Sequence, residues 1–178
     1  DLWGFFYPAI LSLADLDGKS PTCCMDLSQV TIETERLRLV PATKKYAEQI
    51  FLEYREPVTQ YMNYGAPASL EALVERITYR ETYIKEGSIL YLAVLLKGTD
   101  EFLGVFGLES IGEKHPELGG WLKKSAHGHR YGQEAAAALR EWANEHLDYD
   151  HLVWPCAKAN ASSRKLAESL GGKIHREY

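Results

Sequence analysis

Leu122-Lys123-Lys124-Ser125-Ala126-His127-Gly128-His129-Arg130-Tyr131-Gly132-Gln133-Glu134-Ala135 is the stretch that decides the fold. Before it, residues 118–123 form a short apolar run with the pair Gly119 and Gly120, which predicts a strand with a bulge or a close backbone approach. After it, Tyr131, Ala135, Ala138, Leu139, Trp142 and Leu147 recur at helical spacing, and the small alanines predict close packing on a sheet. A strand, a short loop and a helix N-terminus in that order offer backbone N–H groups and the positive end of a helix dipole to a phosphate. Gly128 and Gly132 keep the path free of Cβ atoms, while Lys124, His129 and Arg130 add positive charge. The chemistry suits a diphosphate-bearing ligand; paired glycines before a helix also occur as ordinary turns.

Working outward, the apolar residues Val30, Ile32, Leu37, Leu39 and Val40 predict a strand or two extended pieces ended by Pro41. Thr43 is a candidate N-cap for a helix carrying Tyr46, Ile50 and Tyr54, stopped by Pro57. A second helix follows Ser69, with Leu70, Leu73, Val74, Ile77 and Ile84 as its stripe and Gly87 as its C-terminal cap. Residues 89–96 and 102–108 read as a hairpin of central strands about a turn at 97–100. Residues 152–156 read as a short buried strand, 159–170 as a last helix closed by Gly171 and Gly172, and 173–178 as an extended tail. The expected order is strand, two helices, three strands, helix, strand, helix, strand.

The 178 residues suit one domain, with 1–24 as an appended or atypical segment and 25–178 as the domain proper. A net charge of −5 with scattered charges lacks the basic stripe that nucleic acid requires. The apolar stretch at residues 2–14 is too short to span a bilayer and has no basic residue before it, so neither a membrane partner nor a secretion signal is expected. Three cysteines, two of them adjacent, give no disulfide framework and no zinc spacing; a reducing, cytoplasmic setting follows. His127 and His129 lack a third ligand at suitable spacing, so no metal is expected. Trp142, Trp154 and Cys156 read as core residues.

Gly120-Trp121-Leu122, followed by six residues and then His129-Arg130-Tyr131-Gly132-Gln133-Glu134-Ala135, resembles the acetyl-CoA pyrophosphate loop of the GNAT superfamily of N-acetyltransferases. It is most similar to the ribosomal-protein N-terminal acetyltransferase (Rim-type) branch. Thr34-Glu35-Arg36-Leu37-Arg38-Leu39 matches that branch's first strand, and Asn160-Ala161-Ser162-Ser163 with Leu170-Gly171-Gly172 matches its last helix. The resemblance covers roughly residues 29–178. It implies a mixed α/β GNAT fold: a central, mostly antiparallel twisted sheet flanked by helices and splayed at the middle strands. No residues follow Tyr178 for the family's final strand, and residues 2–14 are expected to cover the surface it would occupy.

The resemblance further implies acetyl-CoA as cosubstrate and transfer of its acetyl group to a primary amine by direct attack. The acceptor would be a protein N-terminal α-amine or a small-molecule amine, and a homodimer is an allowed assembly. Backbone groups of Trp121, Leu122 and Lys123 would hold pantetheine. His127, Gly128, His129, Arg130, Tyr131, Gly132 and Gln133 would hold the pyrophosphate, and Asn160 the pantetheine arm. Two positions depart from the family pattern: His127 stands where Gln or Arg is usual, and Arg130 where glycine is usual. Glu109 and Glu117, carboxylates at strand ends, are candidate general bases. With no tyrosine in the last helix, Ser163 is the side-chain candidate for protonating the leaving thiolate. The alternative from another class is a GNAT-like module that binds acetyl-CoA as a sensor or partner with little or no turnover.

Overall fold

The computed structural model describes residues 25–62 and 65–174. Among the described residues five antiparallel strands form one open sheet in the order β1 (Ile32–Glu33), β2 (Leu37–Pro41), β3 (Leu90–Leu96), β4 (Glu101–Glu109) and β5 (Glu117–Leu122). Helices α1 (Ala47–Glu53) and α2 (Leu70–Lys85) separate β2 from β3, while α3 (Tyr131–His146) and α4 (Ala161–Ser169) follow β5. No helix of the described residues is long and apolar enough to cross a membrane.

The alternation of side chains along each strand divides the interior into two cores. Leu37, Leu39, Leu92, Leu103, Phe106, Leu108 and Leu118 pack under α3, where Ala135, Ala136, Leu139 and Ala143 are fully buried. Ala93, Leu95, Phe102, Val105 and Trp121 pack on the other face against Tyr46, Ile50, Tyr54, Leu73 and Ile77 of the first two helices. The alanines of α3 let its backbone lie close to the sheet, as their spacing predicts. Ser69 caps α2 by accepting from the Ala72 N–H at 3.2 Å, and Gly87 leaves that helix at φ +77°. Thr43 precedes a 3-10 turn (Lys44–Tyr46) that leads into α1, and its side chain makes no capping hydrogen bond.

The chain departs from the expected order after α3. Residues 152–156 do not form a buried strand: Val153 makes a single parallel bridge to Glu117, supported by Leu118 N–H to Val153 C=O at 2.8 Å and Val153 N–H to Pro116 C=O at 2.9 Å. Pro155 has no N–H to continue a ladder, and beyond the bridge the two segments part. Cys156 is exposed rather than core, and Trp154 is only half-buried, its indole committed to a hydrogen bond. Helix α4 contains no buried residue. Lys173 and Ile174 are not in a strand; residues 175–178, and the proposed cover at 2–14, lie outside the described residues.

Candidate active site

β5 and the segment leaving Val153 are joined at the Glu117–Val153 bridge, and beyond Leu118 no backbone hydrogen bond holds them among the described residues, which leaves a wedge between the two. Its open edge follows from strand periodicity. Leu118 sends its N–H away from β4 to Val153, so Gly120 and Leu122 send theirs to the same open side. The Lys123 N–H turns the other way, to Leu103 C=O at 2.7 Å, and Trp121 shares that orientation. Of the three residues expected to hold pantetheine through their backbone, the structure therefore exposes Leu122 and adds Gly120. The Lys123 ammonium is spent on Glu101 at 2.6 Å and is 12% exposed. The Trp121 side chain is buried between Tyr54 and Phe102, on the α1/α2 face.

Gly120 is exposed, yet a Cβ there would strike the Phe106 ring at 2.5 Å. This is the close approach that the glycine pair predicts. At the wide end of the wedge, α3 begins at Tyr131 after a left-handed Arg130 (φ 64°) that makes no side-chain cap. The Tyr131, Gly132 and Gln133 N–H groups lie in the first turn and have no intrahelical acceptor. Gly128, also left-handed at φ +85°, has nothing within 4 Å of where its Cβ would stand. Open space faced by unaccepted donors at a helix N-terminus fits a diphosphate. The His127 ring is turned back, its Nε2 3.0 Å from the Leu122 carbonyl oxygen, and ties the loop to β5.

The left-handed conformation at Arg130 explains why glycine would suit that position. An L-residue there costs about 1–2 kcal/mol, of which a glycine returns about 0.5–1 kcal/mol through its freer unfolded chain. Arg130→Gly is therefore expected to raise the melting temperature by roughly 1–2 °C. Coenzyme A binding, followed by calorimetry, should stay within about threefold of the wild type. A loss beyond about tenfold would mean that the guanidinium itself holds phosphate.

Across the wedge, the Asn160 Oδ1 caps α4 by accepting from the Ser163 N–H at 3.1 Å, which leaves its amide N–H groups as donors. The Ser163 Oγ accepts from Trp154 Nε1 at 2.8 Å, so its own hydroxyl proton is available for another acceptor. The Trp154 ring lies 6.5 Å from Phe106 of β4. At the narrow end, Glu109 and Glu117 are direct cross-strand partners. By alternation from Val105 and Trp121 both lie on the α1/α2 face, beside Gly107 and Gly119. Gly119 has nothing within 4 Å of its Cβ position, so space opens in front of the pair. Burial, and then the neighbouring charge of Glu109, push the Glu117 carboxyl above the usual carboxylate range.

The aromatics of the first two helices mostly pack. Tyr54 is buried, its ring 5.1 Å from Trp121. Tyr79 and Tyr83 meet edge to face on the outer side of α2, with Tyr79 54% exposed. Tyr61 is exposed; Tyr64 lies outside the described residues. Sequence reasoning missed the partners of the loop from the other end of the chain. Thr34 and Arg36 bind Glu134 in the first turn of α3, a pairing across about a hundred residues that no local spacing encodes.

Residues 36–173 match the family model described as the acetyltransferase (GNAT) domain, and the chain belongs to that family. It is an acetyl-CoA-dependent acetyltransferase. It is 26% identical over 143 residues to the uncharacterized N-acetyltransferase p20 of Bacillus licheniformis, covering 79% of this chain and 80% of that protein. It is similar to the acetyltransferase of Agrobacterium tumefaciens strain C58, at 26% identity and a TM-score of 0.71, over 89% of this chain and 90% of the other. The ribosomal L7/L12 alpha-N-protein acetyltransferase RimL, solved with coenzyme A, shares the fold at 19% identity and a TM-score of 0.71, over 79% and 82% of the two chains.

Proposed function

We propose that the enzyme acetylates a primary amine, with a protein N-terminal α-amine as the favoured acceptor, and that the amine loses its proton at the Glu117–Glu109 pair. The observation that carries this is the layout of β5. A helix terminus with unaccepted N–H groups stands at its wide end, and a carboxylate whose pKa is raised by burial and by Glu109 stands at the apex where the wedge closes. A slender thioester arm laid along Gly120 and Leu122 would bring its acyl end towards that apex.

Bound acetyl-CoA supplies an activated acetyl thioester; the rest belongs to this chain's residues. The first-turn N–H groups of Tyr131, Gly132 and Gln133, with the amides of Gly128 to Arg130, hold the diphosphate. The Gly120 and Leu122 N–H groups and the Asn160 amide orient the arm. Glu117 takes the proton as the amine attacks, since a carboxylate above its usual range is a better-matched base near neutral pH. Glu109 keeps it there by repulsion. Ser163, its oxygen already accepting from Trp154, relays a proton to the leaving thiolate, taking one from solvent water as it gives its own. An α-amine, with a reference pKa near 8 against about 10.4 for lysine, needs only this modest base. Two carboxylates at the apex also attract a cationic amine.

The alpha-N-protein acetyltransferase RimL shares this fold, and that supports the choice of acceptor class. The deciding experiment measures coenzyme A thiol release with N-terminal peptides, polyamines and other small amines. Turnover with peptides that is lost when their α-amine is blocked is the expected result. Thermal stabilisation by acetyl-CoA without release for any amine would establish the binding-module alternative instead.

A further inference from the structure

The turn between β1 and β2 is tied to the start of α3 by an unusually complete set of charge-assisted bonds. One oxygen of Glu134 accepts from Thr34 Oγ1 at 2.5 Å and from the Arg36 backbone N–H at 2.9 Å. The other accepts from Arg36 Nε at 2.7 Å and pairs with its second guanidinium nitrogen at 2.6 Å. Burial works against charge on Glu134, but the bonds from Thr34 and Arg36 outweigh it and hold the carboxyl below its usual range. The remaining arm of the guanidinium, Nη1, donates to the His129 carbonyl at 3.1 Å, inside the phosphate loop. The same guanidinium sits 4.8 Å from the centre of the Tyr131 ring, on which His129 stacks at 5.3 Å. Lys97 anchors the turn from outside through Thr34 C=O at 2.6 Å and Glu33 at 2.9 Å.

Two consequences follow for the loop. In a trans peptide the C=O and the next N–H point in opposite directions. By holding the His129 carbonyl, Arg36 turns the Arg130 N–H away from itself and fixes it there, at the left-handed residue that opens α3. Glu134 is also an anion in the first turn of the helix whose N–H groups face the diphosphate. The Arg36 guanidinium, with two of its nitrogens on one carboxylate oxygen, cancels that charge before it can repel the ligand.

We infer that Arg36, with Glu134 and Thr34, is a positioning device for the diphosphate of coenzyme A: it sets the orientation of the His129–Arg130 peptide and neutralises Glu134, without touching the acetyl group. This rests on the reading of residues 127–133 as the diphosphate loop.

Calorimetric titration with coenzyme A and with pantetheine, which lacks the diphosphate, separates the two claims. The wild type should bind coenzyme A far more tightly than pantetheine; equal affinities would remove the loop reading, and this inference with it. Given that preference, Arg36→Ala should weaken coenzyme A about 10- to 100-fold, the worth of a hydrogen-bonded charged pair, and pantetheine less than about twofold. Arg36→Lys should recover part of the loss. Arg36→Ala with Glu134→Gln should bind coenzyme A more tightly than Arg36→Ala alone, because the uncompensated charge is gone. Equal weakening of both ligands would reduce Arg36 to a structural brace and overturn the inference, as would no weakening of either. If Arg36→Ala fails to fold, the same two-ligand comparison on Arg36→Lys decides: a loss confined to coenzyme A supports the device, and a loss shared by both refutes it.

Discussion

Glu117→Gln should lower kcat for acetyl transfer about 100- to 10,000-fold, the usual range for removing a general base, while coenzyme A affinity stays near the wild-type value. Glutamine keeps the shape and the cross-strand position opposite Glu109 but cannot accept the proton. The pH dependence makes the test specific. With its pKa raised first by burial and then by Glu109, Glu117 is protonated and idle at low pH. Activity should therefore rise with pH along a limb lying above the ordinary carboxylate value of about 4.3. Glu109→Gln removes the repulsion and should move that limb to lower pH, leaving the part due to burial.

The sign for stability runs opposite to that for catalysis. A carboxyl whose folded pKa is raised favours the fold below its unfolded pKa, and that advantage is lost as pH rises through the folded value. At neutral pH an ionised Glu117 is thus a cost to the fold, and Glu117→Gln should melt no lower than the wild type while losing activity. A fall in activity accompanied by a large fall in melting temperature would instead mark Glu117 as structural. An unchanged kcat would exclude it as the base.

Gly104→Ala should be the most damaging small substitution in the sheet. Gly104 pairs with Leu122 and holds φ +158°, and a Cβ there would overlap the Trp121 carbonyl oxygen and lie 2.7 Å from Leu122 Cα. Those are backbone atoms of β5, so no rotamer change relieves the clash. The strands must part at the end that carries the phosphate loop. Overpacking of this kind costs about 3 kcal/mol, or roughly 6–12 °C in melting temperature, and coenzyme A affinity should fall with it. Gly119→Ala, two strand positions before Trp121 with nothing within 4 Å of its Cβ, is the control and should melt near the wild type. Equal melting of the two variants would mean that β5 has more freedom than its register with β4 implies.

Much of this was legible in the sequence because it is local. The stripe of α3, the helix after Ser69, the turn between β3 and β4 and the glycine-bearing loop are each set by a few neighbouring residues, and each was found where expected. The strand expected at 152–156 failed for a non-local reason. Its apolar residues are adequate for a strand, but β5 offers pairing only at Glu117 and Leu118 before the two segments diverge. That divergence is the cleft itself, so the failed strand and the candidate active site have one cause.

The sequence by itself determined the order of elements through α3, the glycine-bearing helix terminus and the candidate carboxylates, because periodicity, glycine placement and residue chemistry act over a few residues at a time. Only the tertiary structure decided how they cooperate. Register placed Glu109 opposite Glu117, strand alternation chose Gly120 and Leu122 over Trp121 and Lys123 for the open edge, and folding brought Arg36 onto Glu134 and His129. Each of these depends on which distant segments come to lie side by side, and that is settled by burying two apolar faces of one sheet together.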